Sequence, residues 1–412
     1  MGEYFSPPRR RARLYAGPVS VLVIVAGLAA FAVGFVLFWG VGHRLAGGEF
    51  EFALPRFGSE TPRVEEVAKG LATPIEYPTQ VTFDPVAYRD AHYVPVKGIY
   101  ISSWIAGSPD LFAQQISLVD RTELNAMVID VKDATGYVSY DSQVALADEL
   151  DLEEHRIKDI GAVVAALNEH HIVPIARIVC FNDKLLSARR PEWGVQHKNG
   201  GLWHDKDGNS YTNAYDRRVW EYLVQLAEDA ASRGFREIQF DYVRFPSDGK
   251  ISDAVYPGRS GPTEDAIAEF LAFARQRLDK RGVWVSADVF GLTVHVRDDL
   301  GIGQKIEKVA ANVDIVSPMI YPSHYRAGSY GIAAPNSSPY EVITKAMADS
   351  GARLSGSGAI VRPWLQDFSL YGVTYGETEV RAQIKAVEDQ GFMEWILWDP
   401  SVKYVEAALR PG

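Results

Sequence analysis

Beyond about residue 95 the chain alternates short apolar runs rich in β-branched residues with longer stretches whose apolar residues recur every three or four positions. The short runs predict strands over Val96–Ser102, Ala126–Val131, Ile172–Ile178, Glu237–Tyr242, Val283–Asp288, Val313–Ile320, Ala359–Leu365 and Trp395–Asp399. The longer stretches predict helices over Asp110–Thr122, Ile157–His170, Asp216–Arg233, Thr263–Lys280, Gly301–Ala311, Pro339–Ser350, Glu377–Gln390 and Val402–Leu409. Thr263 is placed to cap its helix, with Glu264 and Asp265 in the first turn, and Gly234, Gly282, Gly351 and Gly391 follow helix ends where a left-handed residue is wanted. Eight strand–helix pairs in residues 95–412 predict an α/β fold, a (β/α)8 TIM barrel. The alternative is a doubly wound open sheet. Its Gly-rich phosphate-binding turn is missing from Ser102–Gly107, which follows the first strand.

The amino-terminal part has a different pattern. Val19–Trp39 contains no charged residue and is long enough to cross the hydrocarbon layer, and Arg9, Arg10, Arg11 and Arg13 precede it. Positive charge on the amino side keeps that side cytoplasmic. The expected layout is a basic cytoplasmic tail at 1–17, a single-pass transmembrane signal anchor at 18–40, an extracytoplasmic linker or stalk at 41–94 and the barrel outside the cell membrane at 95–412. A cleaved signal peptide competes with this reading. The apolar run is longer than an ordinary signal-peptide core, however, and no small-x-small site closes it.

The net charge of −11, with no basic stripe after residue 13, argues against nucleic acid as a partner and leaves neutral or polar ligands. Cys180 is the only cysteine, so no intrachain disulfide can form, and its apolar surroundings predict a small core residue.

In such a barrel the chemistry sits at the carboxyl ends of the strands. Those ends carry Ser103 and Trp104, then Asp130, Lys132 and Asp133, then Arg177, Asn182 and Asp183, then Asp241 and Arg244. The later strands add Asp288, Tyr321 with His324, Gln366 with Asp367, and Trp398 with Asp399. Acidic residues at six of eight ends are costly near a core unless they are tuned to different protonation states or bind a cation. Two carboxylates flanking a scissile bond are the machinery of glycoside hydrolysis. Asp241 is the expected nucleophile or base, with Arg244 three residues on to keep it ionised, and Asp288, among apolar residues, is the expected acid. Asp367 is a candidate stabiliser. The plainer alternative has these carboxylates capping helices or pairing with Arg177 and Arg244.

Trp104, Trp193, Trp203, Tyr321, Tyr325, Trp364 and Trp398 fall at strand ends or in the long third loop, where flat faces can stack on a pyranose. The expected substrate contacts are Trp104, Asp130, Lys132, Arg177, Arg244, Tyr321, His324, Trp364, Trp398 and Asp399. Asp205, Asp207 and Asn209 superficially resemble a calcium loop but lack its sixth-position Gly and terminal Glu, so a hairpin turn at Asp207–Gly208 is expected instead. The histidines show no metal-ligand spacing, and no metal or cofactor is expected. A metal-dependent hydrolase using Asp130, Asp133 and a His is a weaker alternative.

The blocks Val96–Ser103, Asn125–Gly136, Pro174–Val179, Glu237–Pro246 and Ser317–Tyr325 resemble the glycoside hydrolase domain family of bacterial membrane-anchored and secreted proteins, a distant relative of the α-amylase-like barrels. The resemblance spans about residues 95 to 405. It implies a nucleophile after strand four, an acid/base after strand five and a third carboxylate after strand seven, which are Asp241, Asp288 and Asp367 here. The acid position holds Asp where the α-amylase-like enzymes have Glu, which shortens its reach. The expected function is cleavage of a polysaccharide or glycan by a two-carboxylate mechanism. A catalytically silent carbohydrate-binding or envelope-scaffold barrel is the alternative.

Overall fold

A computed structural model describes residues 84–412. The predicted cytoplasmic tail, signal anchor and most of the stalk lie outside the described residues. Among the described residues no helix is long and apolar enough to cross a membrane.

Eight parallel positions close into a barrel: β1 Lys97–Ile101, β2 Ala126–Lys132, β3 Val173–Val179, β4 Glu237–Asp241, β5 Trp284–Phe290, β6 Ile315–Ile320, β7 in two pieces, Ile360–Val361 and Trp364–Gln366, and β8 Trp395–Trp398. β8 pairs back onto β1 through Lys97 and Trp395. Every residue of β2 and of β4 is buried, as expected of strands covered on both faces; β2 opens on the apolar run Ala126–Ile129, whereas β4 alternates buried polar Glu237, Gln239 and Asp241 with Ile238 and Phe240.

β7 departs from its prediction as one run. It consists of Ile360–Val361, paired with the start of β6, and Trp364–Gln366, paired with the end of β6 and with β8. Pro363 in the gap has no amide hydrogen for the ladder. Arg362 beside it is fully buried, donating to both carboxylate oxygens of Glu237 at 2.8 Å and from Nε to Glu394 at 2.8 Å. These groups sit at the amino-terminal end of the barrel, opposite the end where chemistry is expected.

Six of the predicted helices are full-length helices on the outside of the barrel. Arg217–Ser232 shows why: its side chain-capped start at Asp216 leads into a stripe of Val219, Leu223, Leu226 and Ala230 at three- and four-residue spacing, all buried. Two predicted helices contract. Gly301–Ala311 is helical only over Ile306–Ala310, because Leu300, Gly301 and Gly303 take positive φ and Asp299 accepts the amides of Gly301 and Gly303. Val402–Leu409 keeps a single short turn, Glu406–Ala408, after Val402 at φ +55°. Thr263 is the first helical residue rather than the cap, and its hydroxyl donates to Asp299 at 2.6 Å. Gly351 lies inside the helix Pro339–Leu354, whereas Gly234, Gly282 and Gly391 are left-handed as expected.

The compact unit also begins earlier than the predicted boundary at 95. A helix Pro85–Ala91 docks on the barrel through Arg89, buried over the Trp284 ring and donating to Asp314 at 3.0 Å and to the Val283 carbonyl at 2.9 Å. The long excursion after β3 forms its own small core of Val195, Trp203 and Tyr211. Two-residue strands Gln196–His197 and Ala254–Val255 tie it to the loop after β4. Asp205 accepts the amides of Asp207 and Asn209, which makes this segment the expected hairpin turn.

Candidate active site

Alternation along β4 decides which way its carboxylate points. Phe240 packs against Phe270 of the helix Thr263–Leu278, with ring centroids 5.4 Å apart, so Asp241 and Gln239 face the barrel interior. On β5 the register pairs Ala287 with Phe240 and Asp288 with Ser317 of β6. Continuing that register by one residue sets Asp241 and Asp288 side by side on adjacent strands, in the same inward-facing layer. Both line a cavity of about 470 Å³ at the carboxyl end of the barrel.

The two carboxyls have different surroundings. Asp241 Oδ2 accepts Nε and Nη2 of Arg177 at 3.0 and 2.5 Å, and Oδ1 accepts the Tyr242 amide at 2.5 Å. Tyr242 takes φ +48°, a costly conformation for a bulky side chain, and this turn is what brings its amide back onto Asp241. Arg177 also donates to Asp130, whose other oxygen accepts the Tyr100 hydroxyl at 2.6 Å. Asp288 is buried with no cation of its own among the described residues, and its one side-chain hydrogen-bond partner among them is the Trp364 indole, which donates to Oδ1 at 2.7 Å. Burial first, and then the negative charge of Asp241, push the Asp288 carboxyl well above the usual carboxylate range.

The apolar wall of the cavity is formed by Tyr321, Trp364, Trp398, Tyr325, Phe290 and Met319. Trp364 and Trp398 meet edge to face, and the Arg177 guanidinium lies 5.4 Å from the Trp398 ring. His324 is also on the wall, and burial lowers its pKa from the usual value. A carboxyl pair and aromatic faces lining one cavity can hold a sugar ring at its hydroxyls and its C–H face together.

Of the residues expected from sequence, Asp241, Asp288, Arg177, Arg244, Tyr321, His324, Trp364 and Trp398 meet at this cavity. Tyr325, expected among the aromatic faces, lines it as well, and the others do not. Asp130 acts behind Arg177. Lys132 is fully buried, donating to the Val179 carbonyl at 2.8 Å and pairing with Asp183 at 2.8 Å. Trp104 is 61% exposed, under the Arg156 guanidinium, and Asp399 accepts the amide of Ser401. Trp193 stands by Arg218, and Trp203 belongs to the separate small core.

Asp367 does not line the cavity: its Oδ2 accepts the Val405 amide at 3.1 Å, and its Oδ1 is buried without a partner among the described residues. Burial, reinforced by Asp399, raises its carboxyl to about 7. The expected pairing of Asp241 with Arg244 is also corrected. The guanidinium on Asp241 is that of Arg177, from the neighbouring strand, because Arg244 lies past the Tyr242 turn. Asp133 is held by Arg156 and Thr135 rather than by a metal-ligand set, and Cys180 is a fully buried core residue. The sequence reading missed Tyr242, Phe290, Leu292 and Met319, whose only signal was their place just after β4 and at the ends of β5 and β6.

A family model described as "Putative glycosyl hydrolase domain" matches residues 98–404. No curated protein matches the chain. Among solved structures, a hypothetical protein from Ruminiclostridium thermocellum ATCC 27405 is 34% identical over 49% of this chain and 98% of its own, with a TM-score of 0.44. The glycoside hydrolase domain of PgaB (BpsB) from Bordetella bronchiseptica is 12% identical over 77% of this chain and 99% of its own, with a TM-score of 0.57, a likeness of fold. Because the family match runs from the second residue of β1 to beyond β8, this chain belongs to that family of glycosyl hydrolase domains.

Proposed function

We propose that this chain is a membrane-anchored, extracytoplasmic glycoside hydrolase that cleaves a glycan bound in the cavity above β4 and β5, with Asp241 as nucleophile or base and Asp288 as acid. The observation that carries this reading is the unequal environment of two neighbouring carboxyls. One accepts three donated hydrogen bonds, two of them from a guanidinium, while the other is buried without a cation and so tends to keep its proton. Carboxyls driven to different protonation states are what an acid and a nucleophile require. In the proposed reaction Asp288 protonates the departing glycosidic oxygen as the C–O bond breaks, and Asp241 meets the positive charge that develops on the sugar. Asp367 has no part in this scheme, since it does not line the cavity.

Location outside the membrane rests on the uncharged run Val19–Trp39 and the arginines before it. A sugar-binding barrel without turnover is the second reading, and the observation on its side is the Arg177–Asp241 ion pair, which occupies Oδ2. A glycan panel incubated with the full chain separates the two. The hydrolase reading expects release of shorter glycans that Asp241→Asn abolishes. Tight binding of a glycan with no cleavage, unchanged in Asp241→Asn, would establish the second reading.

A further inference from the structure

Four arginines among the described residues are buried to 6% exposure or less: Arg89, Arg177, Arg244 and Arg362. Three of them are neutralised by carboxylates. Arg89 meets Asp314, Arg177 meets Asp130 and Asp241, and Arg362 meets Glu237 and Glu394. Arg244 has no carboxylate partner among the described residues. Its Nη1 donates to the Phe245 carbonyl at 3.0 Å, and the guanidinium also hydrogen-bonds the Tyr211 phenol. The pKa of that phenol is raised by burial although Arg244 acts to lower it.

The guanidinium is held between two rings, with Tyr242 at 4.9 Å and Phe290 at 4.7 Å from its central carbon. Such stacking fixes the plane of the fork, and Arg244 is one of the residues that line the cavity. A buried cation left unpaired carries a large desolvation cost unless something it meets supplies the counter-charge. Charge bookkeeping within the cavity agrees. Arg177 is matched by Asp130 and Asp241, whereas Arg244 on the same wall meets no carboxylate among the described residues.

We infer that the glycan cleaved here carries an anionic substituent, a carboxylate or an ester sulfate, and that Arg244 is the residue that selects it by forked hydrogen bonding beside the scissile bond. This rests on the cavity being the sugar site proposed above. A planar carboxylate, as in a hexuronic acid, matches the two parallel N–H donors of the fork, and a sulfate can use the same pair. Neutral sugars offer only hydroxyls, which cannot discharge the guanidinium.

The test is calorimetric binding of glucuronate, glucose 6-sulfate and glucose to the full chain in detergent, for wild type, Arg244→Gln and Arg244→Lys, with circular dichroism as the check on folding. The expected result is that at least one anionic sugar binds about tenfold to a hundredfold more tightly than glucose, the range for one charge-assisted hydrogen bond. Arg244→Gln lowers that affinity toward the glucose value, and Arg244→Lys keeps part of it because the charge remains without the fork. A stronger response to glucuronate identifies the carboxylate as the source, and a stronger response to glucose 6-sulfate identifies the ester. Equal affinity for glucose and both anionic sugars, no binding of either anionic sugar, or a preference that survives in Arg244→Gln overturns the inference. Cleavage of a neutral glycan that depends on Asp241 but not on Arg244 also overturns it, while leaving the hydrolase reading in place.

Discussion

Asp241 and Asp288 are neighbours one residue beyond the paired Phe240 and Ala287 of β4 and β5, and both side chains face the barrel interior. Adjacent strands lie about 4.8 Å apart, and two side chains of equal length rising from the same layer keep their carboxyls at a similar spacing. Retaining glycosidases hold their pair at about 5–5.5 Å and inverting ones at about 6.5–9.5 Å to admit a water. The expected outcome is retention of anomeric configuration, read by following the first product anomer by NMR. Appearance of the opposite anomer first would mean that Asp241 activates water instead of bonding to the sugar.

Replacing either carboxyl by its amide is expected to lower kcat by about 10²–10⁴, the usual weight of a positioned acid or base. The two variants differ in their pH dependence. Asp288 must be protonated to act, and its raised pKa keeps the proton at higher pH, so wild-type activity falls as pH rises through that pKa. Asp288→Asn should lose this alkaline limb on a substrate whose leaving group needs no proton. An alkaline limb that persists in Asp288→Asn would assign the acid to another group.

Trp364 is a positioning residue, since its indole N–H donates to Asp288 Oδ1 at 2.7 Å. That bond favours the ionised carboxylate and so holds the Asp288 pKa below where burial alone would put it. Trp364→Phe removes the donor and keeps an aromatic ring. The expected result is a further upward shift of the alkaline limb with a loss of kcat of about tenfold to a hundredfold, the worth of one hydrogen bond to a charged group. A limb that stays in place in a folded variant would show the indole to be packing only.

The eight strands were legible to within one or two residues because short segments rich in apolar and β-branched residues, with few polar interruptions, mark strands buried on both faces. The split of β7 was not legible, since Arg362 is buried there only by virtue of Glu237 and Glu394, which are distant in sequence. The same limit explains the site. Proximity along the chain suggested Arg244 as the partner of Asp241, three residues away, but the guanidinium that reaches it rises from β3, two residues before Val179, the register partner of Asp241. Asp367 looked equivalent to Asp241 at a strand end. Whether a strand-end carboxyl faces the cavity depends on the turn that follows, and that turn is set by tertiary contacts such as the Val405 amide.

Asp367 should make the protein less stable as pH rises. Its carboxyl titrates at about 7 in the folded chain against an ordinary 3.8, so the folded state holds the proton more tightly than the unfolded one. Stability is therefore greatest below about pH 4 on this account and is lost progressively up to about pH 7, a total on the order of a few kcal/mol. Asp367→Asn, which can still accept the Val405 amide, removes the effect. The variant is expected to melt at a higher temperature than wild type at pH 8 and at the same temperature near pH 4, with its cleavage activity retained. Loss of activity by a factor of a hundred or more, in the range of a positioned acid or base, would return Asp367 to the catalytic set.

At the opposite end of the barrel, Arg362 should matter for stability and not for chemistry. It is fully buried between Glu237, 2% exposed, and Glu394, 5% exposed, and Ser286 adds a hydrogen bond to Glu237 at 2.6 Å. Removing the guanidinium strands two buried carboxylates, a loss of about 3–5 kcal/mol. Neutralising the two carboxylates as well, with amides of the same shape, is expected to cost less, because the desolvation penalty of the stranded ions disappears with their charge. Denaturant unfolding of Arg362→Met against the triple variant Arg362→Met, Glu237→Gln, Glu394→Gln checks this. The single variant is expected to lose most of that energy and the triple variant to regain part of it, while KM for any cleaved glycan stays unchanged in whichever variant folds. A triple variant less stable than the single one would show that the carboxylates stabilise the barrel through contacts other than Arg362.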